Sequence, residues 1–224
     1  MYKKSNSMMD NNFLIEQKHF PNYGYSISKF PDEIVAILKD EIQDIKKNAG
    51  RQEIIHKNLA GHIETQIYLK KSQRIIESYL LEMAVQYITS WNYHQEIYQN
   101  HSVEKPLSFC IDKVWINFQK KYEYNPLHDH RGIFSFVSWI DIPYDLQEEM
   151  AMPHVSVSNS AMATSFNFVF TNILGDVQSL PFFPEKCHEG TIIFFPSRLK
   201  HLVYPFFTSE KDRISISGNL FLKD

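Results

Sequence analysis

Only two cysteines, Cys110 and Cys187, occur in the 224 residues, and they form no CxxC pair. Neither a disulfide framework nor a cysteine-rich zinc site follows from that, and both are expected as small buried hydrophobes. Glycine is scarce, at seven residues, and disorder is expected only in the polar start MYKKSNSMMDNN, residues 1–12. No sign of charge prevails. With 23 basic against 26 acidic residues the formal charge is −3, so no strong field points to nucleic acid or a membrane surface. Long apolar runs are missing too. The most apolar helical stretch, IIESYLLEMAVQYI, contains Glu77 and Glu82 and is too short to span a bilayer. The lysines near the start are not followed by an apolar stretch, so a signal peptide is not expected and the expected location is the cytoplasm.

What the chain does have is core material. Seventeen Phe, twelve Tyr and a hydrophobic share of 43% suffice for one large domain, or a domain with a sizeable extension. Its character changes near residue 105. Before that point the periodicity is helical. PDEIVAILKDEIQDIKKNAG starts with Pro31 and two acidic residues suited to the positive helix end. Ile34, Leu38, Ile42 and Ile45 share a face, and Gly50 is a plausible stop. A second helix is expected from about Ser72 to Tyr98, with an apolar stripe from Ile76 to Trp91.

After residue 105 the pattern alternates. Val114, Ile116 and Phe118 interleave with Trp115, Asn117 and Gln119, and six further short apolar runs follow between Pro, Gly, Asn or charged breaks. No intervening helix is long enough for parallel crossovers, so the sheet should be largely antiparallel. About eight short strands suit a jelly roll or comparable double-sheet barrel. The expected class is α+β. The divisions are a flexible start at 1–12, a helical region at 13–105 packed on one sheet, and a β core at 106–224. The irregular piece at 145–163 reads equally as a lid and as a short helix plus surface loop.

The chemistry-bearing stretch is YEYNPLHDHRGIFSFVSW, residues 122–139. On a strand, residues two apart point to one face, so His128 and His130 can close on a single atom while Asp129 points away. Chance alone gives roughly 0.4 His-x-His pairs in a chain with ten histidines, so the pair carries little by itself. Two features add to it. His201 stands at the margin of the run HLVYPF, and RISISGNL places Arg213, Ser215, Ser217 and Asn219 on one face. An Arg followed by Ser on a mouth-lining strand forms an anion clamp, because guanidinium grips carboxylate as a fork. An ordinary solvent face is the bland alternative.

In this order the segments WINFQKKYEYNPLHDHRGIFSFV, GTIIFFPSRLKHLVYPF and RISISGNL resemble the double-stranded β-helix (cupin-like jelly roll) of Fe(II)/2-oxoglutarate-dependent oxygenases. More narrowly, they resemble those of bacteriophages and marine bacteria. The likeness covers about 110–222, with weaker similarity at 58–69. The resemblance implies His128 and His201 as iron ligands, with Arg213 and Ser215 on the distal carboxylate of 2-oxoglutarate. It further implies Fe(II) as cofactor, O2 and an unidentified primary substrate as partners, and succinate and CO2 as products. The family usually has a carboxylate where this chain has His130. Strand geometry favours His130 as third ligand; a local bulge would instead bring in Asp129. Asn117 and Tyr124 are expected to line the site.

Two rivals remain at this level. Three histidines also make a zinc site with a water in the fourth position, and such a site has no need of Arg213. A β-sandwich binding module without catalysis is the other.

Overall fold

The computed structural model describes residues 22–48, 62–101 and 106–223. The expected flexible start at 1–12, the stop at Gly50 and the beginning of the 58–69 segment lie outside them. Strand β1 (Ser26–Lys29) leads into helix α1 (Asp32–Lys47), which has Pro31 at its N-cap, Asp32 and Glu33 in its first turn and lysines in its last. Leu38, Ile42 and Ile45 of α1 are buried as the spacing requires. So is Glu41, whose carboxylate accepts from the backbone N–H groups of Lys70, Lys71 and Ser72 and from the Ser72 hydroxyl. It thereby ties down the turn that leads into the next helix, at whose start negative charge is favoured.

Strand β2 (Thr65–Leu69) precedes helix α2 (Gln73–Trp91), and helix α3 (His94–His101) follows. The single helix expected over Ser72–Tyr98 is therefore two. Asn92 adopts a left-handed conformation, φ 52°, and closes α2; asparagine tolerates that region better than other side chains with a Cβ.

The remainder is β3 (Phe109–Gln119), β4 (Asn125–His128), β5 (Phe134–Asp141), α4 (Leu146–Ala151), α5 (Pro153–Ser156), β6 (Phe166–Thr171), β7 (Val177–Phe182), β8 (Thr191–Pro196), β9 (His201–Val203) and β10 (Arg213–Leu222). Two antiparallel sheets form, ordered β1-β8-β5-β10-β3-β2 and β4-β9-β6-β7. This is the α+β double-stranded β-helix. The purely helical expectation before residue 105 is corrected: β1 and β2 are the two edges of the larger sheet.

Strand β10 shows how sequence alternation builds the two layers. Ile214, Ile216 and Leu220 join Leu38, Leu80, Tyr87 and Phe134 in a core between the helices and the outer face of the six-stranded sheet. Arg213, Ser215 and Ser217 face the other way, into a cavity between the sheets. Beside that cavity a second core joins Val137 and Trp139 of β5 to Phe166 and Phe168 of β6. Both faces of β3 are covered, so Val114 through Gln119 are all buried.

The 145–163 segment contains the two short helices α4 and α5. Asp145 caps α4 by accepting from the N–H groups of Gln147 and Glu148. Glu149, fully buried, accepts from the backbone of Phe207 and Thr208 and from the Thr208 hydroxyl.

Candidate metal centre

His128 at the end of β4 is the register partner of His201 at the start of β9. His130 follows two residues later, where its backbone N–H donates to Ser197 O at 2.8 Å. Gly132, at φ +103°, then turns the chain into β5. A Cβ there would meet Leu220 O at 2.6 Å, so only glycine lets the turn lie against β10. The three imidazoles converge: ring centroids lie 4.3 Å apart for His128 and His201, 4.9 Å for His128 and His130, and 5.0 Å for His130 and His201. One nitrogen from each lies within 4.8 Å of the others.

Backbone carbonyls fix two of the rings. Nδ1 of His128 donates to Pro126 O at 2.7 Å, and Nδ1 of His201 donates to Leu199 O at 3.0 Å. With the proton on Nδ1, the Nε2 lone pair of each ring is left for a metal. Phe166 stacks on His201 with centroids 5.1 Å apart. Burial holds all three imidazoles neutral. It pushes His201 well below its ordinary value and lowers His128; His130 is brought down to about 4 by burial and then by the neighbouring His128.

Asp129 is not part of this cluster. Its exposed carboxylate faces Lys200 at 2.8 Å, and that hydrogen bond lowers its pKa. The β4–β9 pairing does have a register irregularity, between Asn125 and His128, but it does not turn Asp129 inward.

A cavity of about 50 Å³ runs inward from the histidines between the sheets, and Arg213 lines it. The guanidinium is 1% exposed, and each of its five N–H groups has an acceptor. Nε and Nη2 donate to Gln119 Oε1, Nη1 to the Tyr144 hydroxyl and Thr164 O, and Nη2 to Tyr204 O. None of these acceptors is a carboxylate. Thr164 presents its carbonyl from a left-handed conformation, φ 68°, which a β-branched residue adopts only under strain. Beside Arg213 runs a polar row at one register level. Gln66 on β2 donates to Asn117 on β3 at 2.6 Å, and Asn117 donates to Ser215 and Ser217 on β10 at 3.2 and 3.3 Å.

Of the residues expected from sequence, His128, His130, His201, Arg213, Ser215 and Asn117 meet around this cavity. Tyr124 does not line it: it stacks on His62 at the surface, with centroids 4.8 Å apart. Its expected place in the site is corrected: the next residue, Asn125, lines the cavity, and Tyr124 is turned to the surface. Gln66, Gln119, Tyr144 and Thr164 were not anticipated. Gln119 alone had a sequence signal, as the last polar residue of the alternation that contains Asn117.

Outside the cavity, and sharing Trp115, His128 and His130 with it, opens a cleft of about 490 Å³. The histidines thus stand between a small inner chamber and a larger outer one.

Residues 113–219 match the family model described as "Putative 2OG-Fe(II) oxygenase". Among solved structures, a prolyl-4-hydroxylase from Pseudomonas putida superposes with a TM-score of 0.50 at 14% identity, covering 90% of this chain and 94% of its own. EvdMO1 superposes with a TM-score of 0.52 at 14% identity, covering 90% of this chain and 48% of its own. An oxidoreductase of the 2OG-Fe(II) oxygenase family from Burkholderia pseudomallei also matches, at 14% identity and a TM-score of 0.42, covering 85% of this chain and 89% of its own. These likenesses concern the fold. No curated protein matches by sequence.

Proposed function

From the match of residues 113–219 to the 2OG-Fe(II) oxygenase model, we propose that the chain is an oxygenase of that family and hydroxylates a C–H bond of an organic substrate, consuming O2 and 2-oxoglutarate and releasing succinate and CO2. The observation that carries the proposal is the pairing of three convergent neutral imidazoles with a buried guanidinium that has no carboxylate partner among the described residues.

The donor set fits a divalent metal of the first transition row. His128, His130 and His201 would hold it through nitrogens already freed of protons by burial. When bound, Fe(II) supplies the activation of O2 and the oxidative decarboxylation of 2-oxoglutarate.

The chain's own residues then have distinct tasks. The Pro126 and Leu199 carbonyls keep the His128 and His201 rings oriented, so little ordering is left to do when metal arrives. Three neutral ligands do nothing to offset the metal's double positive charge. Arg213 adds a further buried cation on the cavity wall. A dianion with a carboxylate at each end complements both, and 2-oxoglutarate is such a dianion. The Ser215, Ser217, Asn117 and Gln66 row supplies neutral donors and acceptors along the chamber wall. Phe166, Phe195 and Trp139 give the chamber an apolar wall.

A three-histidine set also suits zinc, which needs no cation on the cavity wall. Anaerobic titration of metal-free protein with Fe(II) and 2-oxoglutarate separates the two. The expected result is a visible metal-to-ligand charge-transfer band that R213A lacks while keeping its folded circular dichroism. Tight zinc binding with no band for wild-type protein would reject the proposal.

A further inference from the structure

The outer cleft has a chemistry of its own. Asp112, Lys113 and Trp115 of β3 line it, as do Arg131, directly after His130, and Tyr68 and Phe221. Arg131 is exposed and makes no hydrogen bond or ion pair among the described residues. The Lys113 ammonium lies 4.8 Å from the centre of the Tyr68 ring and has no acidic partner among them. Asp129 also borders the cleft, but its charge is met by Lys200. Two cations therefore stand against the single carboxylate of Asp112, beside three aromatic rings, next to His128 and His130.

Resting on the oxygenase reading, we propose that the primary substrate is a small organic anion: an aromatic or otherwise apolar body bearing a carboxylate or phosphate. Arg131 and Lys113 receive the anionic group, because an oxyanion gains most from cations not already paired. Trp115, Tyr68 and Phe221 receive the body, as few polar groups within an apolar wall usually orient a small ligand. A cleft of about 490 Å³ has the size of a metabolite site. The inner chamber does not compete for such a molecule. On the oxygenase reading that chamber, with Arg213 on its wall, is the place of the cosubstrate.

The test uses three probes of one shape: benzoate, phenyl phosphate and the neutral benzamide. Their binding to wild-type protein and to the double variant Lys113→Gln, Arg131→Gln is measured by ligand-observed NMR. Wild type should prefer at least one of the anions over benzamide by fivefold or more. The double variant should lose that preference while still binding benzamide, which shows the cleft intact. Preference for benzoate alone or phenyl phosphate alone identifies the oxyanion. Equal binding of all three probes to wild type overturns the proposal. So does an anion preference that survives in the variant, and so does a lack of binding by any probe at millimolar concentration. The charge-transfer band of wild-type protein is scored separately, so a failed metal reading and a failed substrate class give different results.

Discussion

The amide oxygen of Gln119 occupies the fork of Arg213, accepting from Nε at 3.1 Å and from Nη2 at 2.7 Å. That is the face with which guanidinium grips a carboxylate. Gln119 therefore holds, with a neutral atom, the place where negative charge is best received. Gln119→Glu would install that charge permanently. The variant should fold, since the new carboxylate neutralises a buried cation, although the bond from Gln119 Nε2 to Glu123 O is lost. Its affinity for 2-oxoglutarate should fall at least about tenfold, or ~1.4 kcal/mol, while metal affinity changes little. Titrations of Fe(II) alone and with 2-oxoglutarate read the two separately. Wild-type cosubstrate affinity in this variant would remove Arg213 from the cosubstrate site.

The ligand set makes a second prediction. His130 faces the other two imidazoles and Asp129 faces Lys200. His130→Ala should weaken metal binding by about 100-fold or more, the effect expected on losing one of three ligands. Asp129→Asn should change it by about tenfold at most, the lower bound for a residue that only supports a ligand. Competition against a chromophoric chelator measures both. A larger loss in Asp129→Asn than in His130→Ala would mean that the carboxylate swings inward on metallation.

How much of this was legible in the sequence depended on distance along the chain. His128 and His130 could be read because two-residue spacing fixes a shared face, and Arg213 and Ser215 because their strand alternates strictly. Gln66, Tyr144 and Thr164 could not be read. Each reaches Asn117 or Arg213 from a separate part of the chain, and no local pattern announces a contact so distant in sequence. Thr164 is the extreme case, since a β-branched residue gives no hint of a left-handed conformation. Strand β1 was missed for a different reason. SISK has four residues with alternating exposure and no apolar run, and it is a strand only because the edge of β8 accepts it. Tyr124 shows the limit of parity arguments: it shares a face with His128 on paper, yet the irregularity between Asn125 and His128 breaks the count.

Acidification should destabilise the metal-free protein. Above the ordinary imidazole value of 6.5, folded and unfolded chains both carry neutral rings and the three histidines contribute no difference. As pH falls from 6.5 toward about 4, the unfolded chain takes up protons that buried His128, His130 and His201 refuse, so stability is lost across that window. His130 alone accounts for at most about 3 kcal/mol, from its shift to about 4. Urea denaturation at a series of pH values should show the loss, and His130→Asn should flatten it. Stability that holds or rises between pH 6.5 and 4.5 would contradict the neutral cluster. Bound metal should steepen the dependence further, because protonation then also releases the ion.

Glu149 ties the 145–163 segment to the chamber from behind. Its buried carboxylate holds the backbone at Phe207 and Thr208, just beyond the Tyr204 carbonyl and the Phe206 ring that contact Arg213. Glu149→Ala leaves two part-buried N–H groups without their acceptor and should cost about 1–3 kcal/mol. The loosened 204–208 chain should then hold Arg213 less firmly, so cosubstrate affinity falls although Glu149 does not line the cavity. Glu149→Gln keeps one acceptor oxygen and should lie between wild type and Glu149→Ala in both stability and cosubstrate binding. Hydrogen exchange of the Phe207 and Thr208 amides reports the tether directly. If those amides stay protected in Glu149→Ala while 2-oxoglutarate binding still falls, the coupling does not run through this segment. If protection is lost and binding is unchanged, Arg213 is held by Gln119, Tyr144 and Thr164 alone.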